Sequence, residues 1–159
     1  MEIEKFPKPQ NFLLKNFGGD SMARLFDMLK QDHQEVTSML EHVISTKDTS
    51  QFPQIRKMLE VHMEGEEKYF YPKIMEEDKE TALESYEEHH VGKMVLNELN
   101  KTGKDEEEWM PKVEVLKDVL EHHIEEEESK IFTEADQILS NEQEDQIAQQ
   151  IEELKSQRM

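Results

Sequence analysis

The chain has 159 residues and no cysteine, with 38 Asp plus Glu against 19 Lys plus Arg and a formal net charge of -19. One domain of this size can bury a core without disulfides, and the lack of cysteine excludes disulfide frameworks, thiolate zinc sites, iron–sulfur clusters and cysteine nucleophiles. The acidic balance argues against nucleic acid and anionic membranes as partners, and with no secretory signal or apolar span to read, a cytoplasmic protein is expected.

The apolar fraction is 35% and the charged fraction 36%, a balance that would suggest disorder if the apolar residues were not placed at helical spacing. Residues 1–20 read as an N-terminal arm, with Pro7 and Pro9, an apolar patch around Phe12 and Phe17, and then Gly18-Gly19. A first helix is expected from about Asp20 or Ser21 to Ser45. Its stripe is Leu25, Leu29, Val36, Leu40 and Ile44, and His33 fills the one gap. A second helix follows the loop 46–51, with Pro53 in its first turn. Its stripe runs Ile55, Leu59, His62, Glu66, Phe70, Ile74, and Pro72 predicts a kink or break near its end.

A third helix is expected from about Glu80 to Asn100, and a fourth from Trp109 to Leu139 with the stripe Val113, Leu116, Leu120, His123, Glu127, Ile131. The last segment, 140–159, reads as a shorter polar helix. Ser140 and Gln143 stand at capping-box spacing, and Ile147, Ile151 and Leu154 form its apolar edge. This helix is expected to dock on the bundle or to mediate assembly into a homo-oligomer. The predicted architecture is all-α: an up-down-up-down four-helix bundle over 21–139, flanked by the arm (1–20) and the extra C-terminal helix (140–159).

An internal repeat decides the functional reading. Leu59-Glu-Val-His-Met-Glu-Gly-Glu-Glu67 matches Leu120-Glu-His-His-Ile-Glu-Glu-Glu-Glu128, and each copy is preceded one helix earlier by an acid–His pair, Asp32-His33 or Glu88-His89. Residues four apart share a helix face. His62 with Glu66, and His123 with Glu127, therefore each aim an imidazole and a carboxylate into an otherwise apolar stripe. Burying an unpaired carboxylate is very unfavourable, and metal coordination removes the difficulty.

Taken singly, each residue has a plainer role. A lone core histidine is usually hydrogen-bonded, and a lone His-x-x-x-Glu is often a surface pair. Four helices that each offer a His, two of them adding a Glu one turn on, point instead to metal. Four His and two Glu exceed the four ligands of a structural zinc. They suit two metals, with both Glu bridging and the His terminal. Imidazole and carboxylate together accept iron, manganese or zinc. In the third helix both His89 and His90 are available, and His89 is preferred because it follows an acid as His33 does. Tyr69, Tyr71 and Tyr86 lie nearby in sequence and are read as packing residues.

Asp32-His33, Leu59-x-x-His62-x-x-x-Glu66-Glu67 with Tyr71-Pro72, Glu88-His89, and Leu120-x-x-His123-x-x-x-Glu127-Glu128 with Phe132 resemble the hemerythrin-like (HHE cation-binding) family over about 22–139. The resemblance implies two iron ions, oxo- or hydroxo-bridged, held by His33, His62, Glu66, His89, His123 and Glu127. It also implies binding, sensing or reduction of a diatomic or peroxide ligand. The classical oxygen carriers place a second histidine one turn after the first on the third helix. Here that position is Lys93 or Met94. One metal is therefore expected to have an open position, a solvent ligand, or a carboxylate such as Glu67 or Glu128. A metal sensor or iron store without turnover, and an acidic helical interaction module without metal, are the alternative functions.

Overall fold

The computed structural model describes residues 20–159, with side chains from Arg24 onward. The expected N-terminal arm lies outside the described residues. Among the described residues the regular structure is all helical, joined by short connections, and contains no strand. Helix α1 is Asp20–Thr46 and α2 is Phe52–Gly65. A π-helical turn, Glu66–Phe70, joins α2 to α3 (Tyr71–Glu77). Helix α4 is Lys79–Lys101 and α5 is Trp109–Glu126. A second π turn, Glu127–Ile131, joins α5 to α6 (Phe132–Ile138), and α7 is Asn141–Arg158.

The expected stripes bury as helical spacing requires. Leu25, Leu29, Val36 and Leu40 line the inner face of α1, and His33 sits in their gap with 4% exposure. The stripe ends at Val43 rather than Ile44, which is only half-buried. Local chemistry sets the boundaries. Lys47 adopts φ 65 just past α1, the left-handed conformation that ends many helices. The Asp78 carboxylate accepts from the Thr81 amide at the start of α4. Ser140 and Gln143 form a reciprocal capping box on α7.

Pro72 does not break its helix. The chain passes it through the π turn, where the Tyr71 amide donates to the Glu66 carbonyl five residues back. An equivalent turn occurs at Glu127–Ile131 without any proline, so the turn belongs to the repeat and not to Pro72.

Two apolar cores flank a polar layer. One gathers Phe26, Phe70, Tyr71, Ile74 and Phe132 with α7's Ile147 and Ile151. The other gathers Val36, Leu40, Phe52, Leu59, Trp109 and Leu116. Helix α7 docks along α1 and α2. Gly65 permits this approach, since a Cβ there would stand 3.3 Å from both Cγ atoms of Ile151. The matching repeat position is Glu126, which is partly exposed. No helix among the described residues is long and apolar enough to cross a membrane.

Candidate metal centre

Between the two cores lie His33, His62, Glu66, His89, His123 and Glu127, all at 8% exposure or less. The helices bring all of the predicted site residues together. His33 comes from α1, His62 from α2, His89 from α4 and His123 from α5, and the two glutamates open the two π turns. His90 and His122 are exposed, so each His-His pair turns one ring inward and one outward.

The two carboxylates divide their oxygens between two centres. In the first, Glu66 Oε2 stands 3.2 Å from His62 Nε2 and Glu127 Oε1 stands 3.1 Å from His33 Nε2. The two Nε2 atoms are 3.2 Å apart. In the second, Glu66 Oε1 stands 3.1 Å from His89 Nε2 and Glu127 Oε2 stands 3.6 Å from His123 Nε2. Glu66 Oε2 and Glu127 Oε1 are buried without a well-formed hydrogen bond. Buried carboxylate oxygens rarely stay unsatisfied. A cation among these donors would satisfy them: ligand-type atoms of His33, His62, Glu66 and Glu127 lie within 4.8 Å of one another, as do those of Glu66, His89 and His123.

Every ring is held from behind by a second carboxylate. His62 Nδ1 pairs with Asp32 at 2.9 Å and His123 Nδ1 with Glu88 at 2.5 Å. His33 Nδ1 pairs with Glu128 and His89 Nδ1 with Glu67, both at 2.7 Å. This is the carboxylate–histidine arrangement that fixes a ligating tautomer, with N–H outward and the lone pair inward. The pattern obeys the repeat, because Asp32–His62 maps onto Glu88–His123 and Glu67–His89 onto Glu128–His33. The first set ties each helical hairpin internally and the second ties the hairpins to each other.

The geometry corrects two expectations, on Glu67 with Glu128 and on Tyr71, and shows where Lys93 and Met94 lie. Glu67 and Glu128 stand behind the rings, so they are not extra ligands at the centre. Lys93 is exposed and pairs with Glu67 at 2.9 Å, and Met94 is 53% exposed, so neither enters the site. Tyr71 is not mere packing. Its hydroxyl donates to Glu127 Oε2 at 2.5 Å and lies 3.1 Å from Glu66 Oε1, His89 Nε2 and His123 Nε2. α-Helical periodicity places residue 71 off the His62–Glu66 face, and the π turn brings it on. The available signal was the repeat, which sets Tyr71 opposite Phe132, each nine residues after its histidine.

Without metal the layer is a network of charge. Burial pulls the His62 imidazole down, but Glu66 beside it and the bond to Asp32 lift its pKa to about 10. Burial likewise opposes, and Glu127 and Glu88 overcome, a rise of His123 to about 11. His89 is raised against its burial by Glu66 and Glu67. Burial favours the neutral form of Glu66, yet His62 and His89 hold it well below the carboxylate range. Glu127 is lowered against its burial and the Glu66 charge by His123 and His33. The protons on the raised imidazoles occupy the place a cation would take.

A cavity of about 280 Å³ reaches all four histidines, and Tyr71 is not among the residues that line it. Val36, Leu59, Met63, Leu120 and Ile124 wall it, and Asp32 and Lys155 stand at its polar edge. A further acidic group, Glu88, His122 and Glu126, is partly exposed, and its Glu88 already serves His123.

A family model for the hemerythrin HHE cation-binding domain matches residues 24–135. The chain is 29% identical over 135 residues to a protein of a Nostoc species named DNA nickase, covering 82% of this chain and 38% of that protein. It is 29% identical over 142 residues to an uncharacterised hemerythrin-like protein of Schizosaccharomyces pombe, covering 84% of this chain and 70% of that one. The chain thus spans well under half the length of the Nostoc relative. No solved structure gives a significant match.

Proposed function

The chain belongs to the hemerythrin HHE cation-binding family, and from that premise we propose that it is a non-haem di-iron protein that binds, senses or reduces a small oxidant such as dioxygen, peroxide or nitric oxide. The observation that carries this reading is the division of the Glu66 and Glu127 oxygens between two pairs of imidazoles. In this account His33 and His62 would hold one metal and His89 and His123 the other, with Glu66 and Glu127 each offering one oxygen to either pair. Manganese or zinc suits the same donors. The bundle over 21–139 runs up-down-up-down, as its short connections favour, with 140–159 as an added helix.

Iron, when bound, supplies the redox chemistry. The protein's residues do the rest. Asp32, Glu67, Glu88 and Glu128 orient the rings. The two cores exclude water from the carboxylates, which strengthens their hold on a cation. The cavity, apolar along most of its wall with Asp32 and Lys155 also lining it, gives a small ligand a path to the histidines. The net charge of -19 opposes carrying the nucleic-acid role in the Nostoc relative's name to this chain.

Protein purified from iron-replete cells should hold two irons per chain and show oxo-bridged di-iron absorption that changes with dithionite, air or peroxide. Iron-free protein without such a response would refute the reading.

A sensor or iron store without turnover is favoured by one observation. Lys155 of α7 pairs with Asp32 at 2.6 Å, and Asp32 holds His62, so metal loading and α7 docking share a contact. That reading predicts a large rise in Tm on loading with no peroxide consumed. Peroxide turnover by the loaded protein would exclude it.

A further inference from the structure

Resting on the two-metal reading above, we propose that Tyr71 is itself a metal ligand, binding as a phenolate to the metal held by His89 and His123. It fills the coordination position for which this chain has no second α4 histidine.

The hydroxyl oxygen has four close neighbours: Glu66 Oε1, His89 Nε2 and His123 Nε2 at 3.1 Å, and Glu127 Oε2 at 2.5 Å. Each vertex of an octahedron has four cis neighbours. With metal–ligand bonds of about 2.1 Å, those neighbours lie about 3 Å away. Three of the four distances match that cis spacing, to Glu66, His89 and His123, which themselves form one group of ligand-type atoms, and the fourth, to Glu127, is the shorter hydrogen bond.

A packing or hydrogen-bonding role explains less. Once the histidines present lone pairs inward and the glutamates are ionised, all four neighbours are acceptors. A phenol has one hydrogen and can serve only one of them. In the metal-free protein the raised His89 and His123 imidazoles carry protons that answer these contacts. Metal loading removes those protons, and without a bond from Tyr71 to the metal the remaining contacts would then set lone pair against lone pair. A shared cation removes that conflict, and coordination releases the phenolic proton to solvent. Tyrosine ligation of protein-bound iron has a precedent in haem proteins.

The position is built, not incidental. Tyr71 has 0% exposure, and the π turn sets it one turn above Glu66. The other candidates on α4 face away, Lys93 toward Glu67 and Met94 toward solvent. The repeat then makes the two metals unequal. At the position matching Tyr71 the second copy carries Phe132, which stacks on His33 at 6.2 Å and offers no donor. The metal of His33 and His62 keeps the vacancy, so an exogenous ligand binds there.

The chain has three tyrosines, so the assignment can be made without ambiguity. Wild-type, Tyr71→Phe and Tyr86→Phe proteins are loaded with iron(II), oxidised in air, and examined by metal analysis, visible absorption and resonance Raman. Wild type and Tyr86→Phe should hold two irons and show a phenolate-to-iron(III) charge-transfer band with enhanced tyrosinate ring modes. Tyr71→Phe should lose band and modes together. Ring-deuterated tyrosine in the wild type should shift those modes, a readout that does not depend on the variant folding. Two irons in the wild type without tyrosinate modes would overturn the proposal and leave the metal centre standing. Failure of the wild type to bind iron would overturn both.

Discussion

Metal binding should release protons, and the structure fixes how many. In the metal-free protein His62 and His123 have pKa values of about 10 and about 11, so both imidazoles are charged at pH 7.5. Ligation requires the inward nitrogen of each to be bare. Each chain loaded with two metals must therefore shed at least two protons, one per metal, and the apparent affinity for each metal should rise about tenfold per pH unit between pH 7 and 9, about 100-fold for the pair. His89 is also raised and adds a further fraction. The assay is zinc or anaerobic iron(II) titration at several pH values, in buffers of different ionisation enthalpy, so that calorimetry counts the protons. The same groups govern the metal-free fold. Their folded-state pKa values are raised, so their contribution to stability is fully present below about pH 6.5 and is lost as pH rises through 10 and 11. Glu66 acts oppositely, since its pKa is lowered; its contribution is lost as the solution becomes strongly acidic. Fewer than one proton released per chain, with a flat affinity between pH 7 and 9, would refute the reasoning.

The other predictions concern the supports of the site. Asp32→Asn and Glu88→Gln remove the anions behind His62 and His123, and each should weaken metal binding about 10–100-fold; unchanged affinity in chelator competition would show that these carboxylates do not tune the ligands. Lys155→Met breaks the 2.6 Å contact with Asp32 from α7. It should lower affinity less than Asp32→Asn does, while reducing the rise in Tm on loading. Ile151→Ala empties a fully buried position between α7 and Gly65. It should destabilise by about 2–5 kcal/mol in urea unfolding, and a change below about 0.5 kcal/mol would mean that α7 is not docked in solution.

The metal-binding pattern was readable in the sequence because a four-residue step is the natural repeat of an α-helix face. His62 with Glu66 and His123 with Glu127 needed only that rule and the duplication. The acids beside the histidines were also visible, but their partners were not. Asp32 is adjacent to His33 in the chain yet holds His62 on the next helix, and Glu128 crosses to the other hairpin to hold His33. Which acid faces which ring depends on helix packing, and sequence adjacency does not encode it. Tyr71 escaped for a different reason. A π turn advances the helix by an extra residue, so an α-helical projection turns residue 71 away from the site that it enters. Gly65 stands where the second copy of the repeat has Glu126, and the approach of Ile151 supplies the reason.

The most direct test of the central claim is a crystal structure of iron-loaded protein with anomalous scattering recorded at the iron edge. The account predicts two iron peaks about 3.5–4 Å apart, one beside His33 and His62, the other beside His89 and His123, with Glu66 and Glu127 spanning them. A single peak, or iron only at the exposed Glu88, His122 and Glu126 group, would contradict it.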